Sequence, residues 1–367
     1  MDIKERSSNF ELLRIISMFM IVLSHCTWYG ILKVGHADAY VVWNTGSIIY
    51  KLFSSTSILG TIGVGLFFMI SGFFTVNKSK TKILKVCLTT VFYSIMMVLV
   101  MLISRIIGIK AYESDSDLIF DFLKMLFVPI SGSVWWYVTA YIFLMLIAPI
   151  YNEFINKLNR KGFVLLLFVL LIFGYTLGNL GSNFHDIEKA LYFYTLGAYF
   201  KLFIPKYKNS NIFVYVLLGV IGIILNGLCQ YFVFKYTVQS GSLAVLFRKS
   251  FSMAGYLIAD SLACFGIFGF FSKLSFSNKV VNKIASYSFG VYLFHESPVM
   301  RQLLWFNFLK PWRFYGNALY FIMVPCFCVM VFFAGVVCDF IRDKLIFNQV
   351  FAVVERLKNR FKGAFFL

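Results

Sequence analysis

The sequence predicts an all-α integral membrane protein of about ten transmembrane helices, and three observations carry that prediction. Sixty per cent of the 367 residues are apolar and only 14% are charged, against roughly a quarter charged in an ordinary soluble domain. Apolar runs of bilayer-crossing length, about 17 to 25 residues at 1.5 Å each, recur along the chain with no gap the size of a soluble domain. The basic residues gather in short clusters between these runs, where a positive-inside bias puts them. Lipid is therefore the main solvent, and residues 1–367 read as a single membrane domain.

The runs fall at about 10–30, 58–76, 83–107, 135–151, 162–180, 188–204, 212–234, 251–271, 283–305 and 317–341. Hydrocarbon offers the backbone no hydrogen bonds, so each run is expected to be a helix. The first follows Lys4 and Arg6 as a signal peptide would, but it exceeds the usual apolar core and lacks a small-residue cleavage site; it reads as a retained helix. The second carries Gly60, Gly63, Gly65, Ser71 and Gly72, small residues that permit close helix approach, and runs into Lys78, Lys80, Lys82 and Lys85. Between the third and fourth runs, DLIFDFLKMLFVP at 118–130 is apolar but short and acidic, and reads as a helix lying at the membrane surface. The fourth opens on Trp135-Trp136-Tyr137, amphipathic rings suited to a membrane interface. Basic clusters separate the fifth, sixth and seventh runs, and the eighth holds Asp260. The ninth contains SYSFGVYLFHESP, with His295, Glu296 and a backbone-loosening Pro298; after the tenth comes a short basic tail, 342–367.

Charge sets the expected orientation. With the N-terminus in the cytoplasm, the inside segments hold 21 Lys and Arg and the outside segments 11, together with most loop acids such as Asp115, Asp117, Asp121, Asp186 and Glu188. Both termini then lie in the cytoplasm, and the chain belongs in a cell membrane as a multi-pass protein. The same bias accounts for the formal charge of +18 without a nucleic-acid partner. Cys26, Cys87, Cys229, Cys264, Cys326, Cys328 and Cys338 all sit in or at the ends of apolar runs with no metal-ligand spacing, so buried thiols and no metal centre are expected. No internal repeat, Walker A sequence or appended soluble catalytic domain is visible.

Ionisable residues inside a span cost roughly 2.5 to 3.5 kcal/mol each on insertion scales, so each needs a partner or a task. At 100° per residue Arg14 and His25 fall within about 20° of one another, and Glu11 within about 60° of Arg14, so all three share a helix face that must look into the bundle. Glu11 and Arg14 read equally well as a structural pair. His25 lies about 16 Å further along the axis, beyond their reach. His295 sits at a comparable depth, either as a hydrogen-bonded core histidine or as a functional one. His36 and His185 fall in loops and read as solvated, and Asp260 as paired or cavity-lining. The lysines after the second run are topology anchors by default, yet suit a polyphosphate-bearing ligand such as coenzyme A.

Four motifs in order, NFELLRIISMFMIVLSHC, FFMISGFF at 67–74, WWYVTAYIFLMLIAPIY at 135–151 and SYSFGVYLFHESP at 286–298, resemble acyltransferase family 3, the multi-pass membrane O-acyltransferases of bacterial surface glycans. The wording of the first motif and the Lys- and Phe-rich composition are most similar to capsule and exopolysaccharide O-acetyltransferases of Gram-positive bacteria. The resemblance implies transfer of an acyl group, most often acetyl from cytosolic acetyl-CoA, to a hydroxyl of a surface polysaccharide or lipid-linked glycan. It makes His25 the essential histidine, as base or transient acyl carrier, Arg14 its companion, and Ser71-Gly72-Phe73 the motif of the second helix. The chain departs from the family's pattern in two ways: lysines stand at 78, 80, 82 and 85 where many members have arginines, and Glu296 follows the histidine of the ninth run. A glycan or lipid exporter, or a scaffold in a glycan-assembly complex, would suit the composition equally; the Arg14-to-His25 spacing favours chemistry.

Overall fold

The computed structural model describes residues 7–32, 47, 51, 57, 59–78, 83–109, 114–132, 134–179, 185–204, 211–237, 241–315 and 317–344. Among these, every regular element is a helix. In order they are α1 (Ser8–Thr27), α2 (Leu59–Thr75), α3 (Leu84–Ile106), α4 (Asp115–Phe127), α5 (Trp136–Asn156), α6 (Arg160–Asn179), α7 (His185–Phe203), α8 (Ile212–Thr237), α9 (Ser242–Ala254), α10 (Asp260–Lys273), α11 (Lys279–Ala285), α12 (Ser288–His295), α13 (Pro298–Arg301) and α14 (Tyr320–Arg342). Wider π-turns extend α1 through Trp28–Leu32 and join α9 to α10 through Gly255–Ala259. Among the described residues, five helices are long and apolar enough to cross a membrane: Ser8–Leu32, Leu84–Ile106, Trp136–Asn156, Ile212–Thr237 and Tyr320–Arg342. The chain is an all-helical membrane protein.

The division between core and lipid face is clearest on α3. Tyr93, Met97 and Met101, one turn apart, are buried, whereas Ile95, Leu99 and Ile103 point outward. Both stripes are apolar because both surroundings are, so packing rather than polarity selects the inner face. What brings helices close is the absence of side chain. A Cβ on Gly63 would press against the Ser17 carbonyl of α1, and one on Gly72 would overlap the Tyr194 carbonyl of α7. The second-helix glycines thus have a packing cause, and α2 is gripped between α1 and α7.

The ends of α1, α10 and α11 are sewn together. Asn278 caps α11 by accepting from the backbone amides of Val280 and Val281 (2.9 and 3.0 Å), and its own amide donates to Ser8 Oγ at 2.8 Å. Ser8 in turn donates to Asn282 Oδ1 (2.8 Å), while Asn9 Nδ2 caps α10 through the Phe271 carbonyl (2.8 Å). The Asn278 oxygen satisfies amides that the start of α11 leaves without partners, and the Asn9 amide group satisfies a carbonyl left over at the end of α10.

The structure corrects three sequence expectations. The ninth run is not one helix but α11, α12, α13 and a π-stretch Gln302–Phe308, broken at Ser286–Tyr287 and at Glu296–Ser297. The second break is encoded locally: Pro298 forces Ser297 out of helical geometry (ψ 147°), and Ser297 Oγ then accepts from the Met300 amide to restart the helix. The eighth run begins at Ser242 rather than 251 because α9 continues into α10 without a stop. His185 is the first residue of α7 rather than a loop residue. His36, Lys80, Lys82 and the tail beyond residue 344 lie outside the described residues. The 118–130 stretch forms α4, whose Ile119, Phe120, Leu123, Leu126 and Phe127 are exposed, while Met125 packs under α3.

Candidate active site

The break after α12 delivers two side chains to α1. His295, the last residue of α12, is fully buried, and its Nδ1 lies 2.6 Å from the Val291 carbonyl one turn back. A carbonyl only accepts, so Nδ1 carries the hydrogen, and neutral His295 keeps a lone pair on Nε2. That nitrogen lies 2.9 Å from His25 Nδ1. His25 therefore donates from Nδ1 and holds its own lone pair on Nε2, the atom free to take a proton. Glu296, 1% exposed, places Oε2 at 2.8 Å from the same His25 Nδ1, and its Oε1 accepts from Arg301, whose guanidinium stacks 4.8 Å above the Tyr29 ring. Residues 25 and 295, which the sequence left as separate histidines of similar depth, meet directly.

His25, His295 and Glu296 offer ligand atoms within 4.8 Å of one another, which invites a metal reading. The two nitrogens are only 2.9 Å apart, whereas ligand atoms around a tetrahedral zinc at 2.0–2.1 Å are separated by roughly 3.3 Å. Their spacing is that of a hydrogen bond.

Arg14 and Glu11 form a 2.6 Å pair one turn apart and do not touch His25. Arg14 instead lines a cavity of about 290 Å³ together with Ser71, Lys85, Asp339 and Arg342. Its lining mixes these cations with the rings of Tyr137, Tyr141 and Tyr292. Tyr292 links the two sites: its ring lies 5.5 Å from Tyr137 and 6.2 Å from His295, one turn along α12. Ser71 Oγ is turned back onto the Phe67 carbonyl at 2.9 Å, and Lys78 is exposed beyond the helix end.

Sequence reasoning missed Asp339 and Arg342. Arg342 grips Asp339 through two nitrogens (2.7 and 3.2 Å), Tyr93 adds a hydroxyl at 3.1 Å, and Gly290 of α12 leaves the space the carboxylate needs. An acid at the end of an apolar run, three residues before an arginine, was the available signal. Asp260 resolves as a paired group: it accepts from Thr61 Oγ1 at 2.9 Å and from Asn226, with Lys189 Nζ at 3.7 Å, joining α2, α7, α8 and α10. All seven cysteines are free thiols; Cys326 faces outward, against expectation, because its position on α14 looks away from the bundle.

The histidine pair and the tyrosine-lined cavity thus lie within one all-helical membrane bundle. A family model described as an acyltransferase domain matches residues 7–340, and the chain belongs to this family, acyltransferase family 3. The comparisons with curated proteins and with solved structures give no match.

Proposed function

We propose that this acyltransferase moves an acetyl group from cytosolic acetyl-CoA to a hydroxyl of a cell-surface polysaccharide or lipid-linked glycan, most like the capsule and exopolysaccharide O-acetyltransferases of Gram-positive bacteria. The observation that carries the reading is the His25–His295 pairing at 2.9 Å, which leaves a lone pair on His25 Nε2, with Tyr292 joining the pair to the wall of the cavity. A glycan hydroxyl is a weak nucleophile at neutral pH, and histidine is the side chain suited to take its proton there. His25 Nε2 accepts that proton as the hydroxyl oxygen attacks the thioester carbon. The tetrahedral intermediate then expels the coenzyme A thiolate, which recovers the proton from His25. Ester and free thiol are the products, and the imidazole is restored.

Donor binding falls to the cations of the lining. Arg14, Lys85 and Arg342 line the cavity, and with Lys78, Lys80 and Lys82 they would meet the phosphates of acetyl-CoA, while Ser71 lies at the wall. Ten spans with both termini in the cytoplasm put the Lys85 end of the cavity on the cytoplasmic side, where the donor is made. The experiment is mass spectrometry of surface glycan from cells with and without the gene. Loss of an ester with chain length retained is the expected result; loss of the glycan itself would instead support an exporter.

A further inference from the structure

We infer that Glu296, held by Arg301, is a positioning residue that steadies the positive charge formed on His25 during transfer. The inference rests on His25 acting as the base. Four observations carry it. Glu296 is buried (1% exposed), and Oε2 lies 2.8 Å from His25 Nδ1. Its other oxygen is fixed by Arg301, which is stacked on Tyr29 of the same turn region as His25. The carboxylate hangs at a helix break, so its position is set by Ser297 and Pro298 rather than by a continuous helix.

The physical need is plain. When Nε2 takes the acceptor's proton, His25 becomes a cation away from bulk water, where an unpaired charge is costly. His295 cannot compensate: it is neutral, with one nitrogen on Val291 and the other on His25. Glu296 is the carboxylate within contact, and Arg301 partly offsets its charge. The groups facing the His25 ring are thus His295, Glu296 and, behind them, Arg301, with Tyr29 at 5.7 Å between ring centroids. Glu296 touches neither substrate in this scheme; it acts through His25.

The two charges predict opposite pH effects, which a merely structural pair would not give. The assay follows transfer from [¹⁴C]acetyl-CoA to endogenous glycan in membrane vesicles carrying the full chain, with each variant's abundance checked. Glu296→Gln removes the counter-ion: the rate at saturating donor falls at least tenfold, KM for acetyl-CoA holds, and the acid limb of the pH profile moves to lower pH. Arg301→Gln removes the opposing charge, and the acid limb moves to higher pH. If Glu296→Gln does not accumulate, the Arg301→Gln profile decides alone. Unchanged limbs, or limbs moving the same way, overturn the inference. A third variant, His25→Ala, separates it from the reading beneath: if that variant stays active, the base assignment itself has failed, whatever Glu296 does.

Discussion

At the scale of single residues, the site is a hydrogen-bond chain whose direction is set by one backbone carbonyl. Val291 fixes the His295 tautomer, and His295 fixes that of His25. His25→Ala is therefore expected to abolish glycan esterification while the protein inserts normally, since general-base catalysis contributes about 10²–10⁴-fold. His295→Ala should cost less than His25→Ala, since Glu296 Oε2 still lies 2.8 Å from His25 Nδ1 and holds its hydrogen. Both are read by acetyl-ester content of purified glycan, and near-wild-type ester in His25→Ala would move the chemistry elsewhere. Replacing Lys78, Lys80, Lys82 and Lys85 together by Gln is expected to raise the apparent KM for acetyl-CoA, each lost contact to phosphate being worth at most about 1.5–3 kcal/mol. Unchanged donor dependence would reduce them to topology anchors. Both histidines were legible in the sequence, because an imidazole inside an apolar run is conspicuous. Their contact was not, since 270 residues separate them and nothing in either motif states a partner. Glu296 and Arg301 were visible as residues, but the carboxylate's task depends on a helix break that the ninth apolar run concealed.

At the scale of elements, small residues and breaks determine geometry more than hydrophobicity does. The apolar runs announced most helices because length and composition alone force helical backbone in lipid. The interruptions inside 283–305 were harder to see, because Ser286–Tyr287 leaves the local hydropathy high; only Ser297-Pro298 carried a readable stop signal. Glycines give a paired test. Gly72→Val drives a side chain into the Tyr194 carbonyl, and overpacking of this kind costs about 1–3 kcal/mol. Gly227→Ala on α8 places its Cβ in open space, and removing backbone entropy there should stabilise by about 0.5–1 kcal/mol. Thermal midpoints in detergent should fall for the first and hold or rise for the second. A Gly72→Val protein as stable as wild type would show that α2 and α7 are not in close contact.

For the whole molecule, the sequence made the membrane class legible through composition, while the cavity was out of reach: its wall draws on seven separate helices and no motif spans them. Sidedness is the property to test at this scale. On the charge count, the segment 31–57 is expected outside and the Lys85 end of the cavity inside. A single cysteine at Thr45, in a cysteine-free background, is expected to react with a membrane-impermeant thiol reagent in intact cells. Labelling only after permeabilisation would invert the molecule and place the donor pocket on the wrong face.

The link between residues 25 and 295 also fixes when the enzyme can exist. Ribosomes add about 5–20 residues per second, so α1 waits on the order of ten to fifty seconds before α12 is made. During that wait Glu11 and Arg14 neutralise each other within one turn of α1, and His25 can remain uncharged. The first helix thus enters the bilayer self-sufficient, and the contact between residues 25 and 295 forms only when nearly the entire chain has been delivered to the membrane.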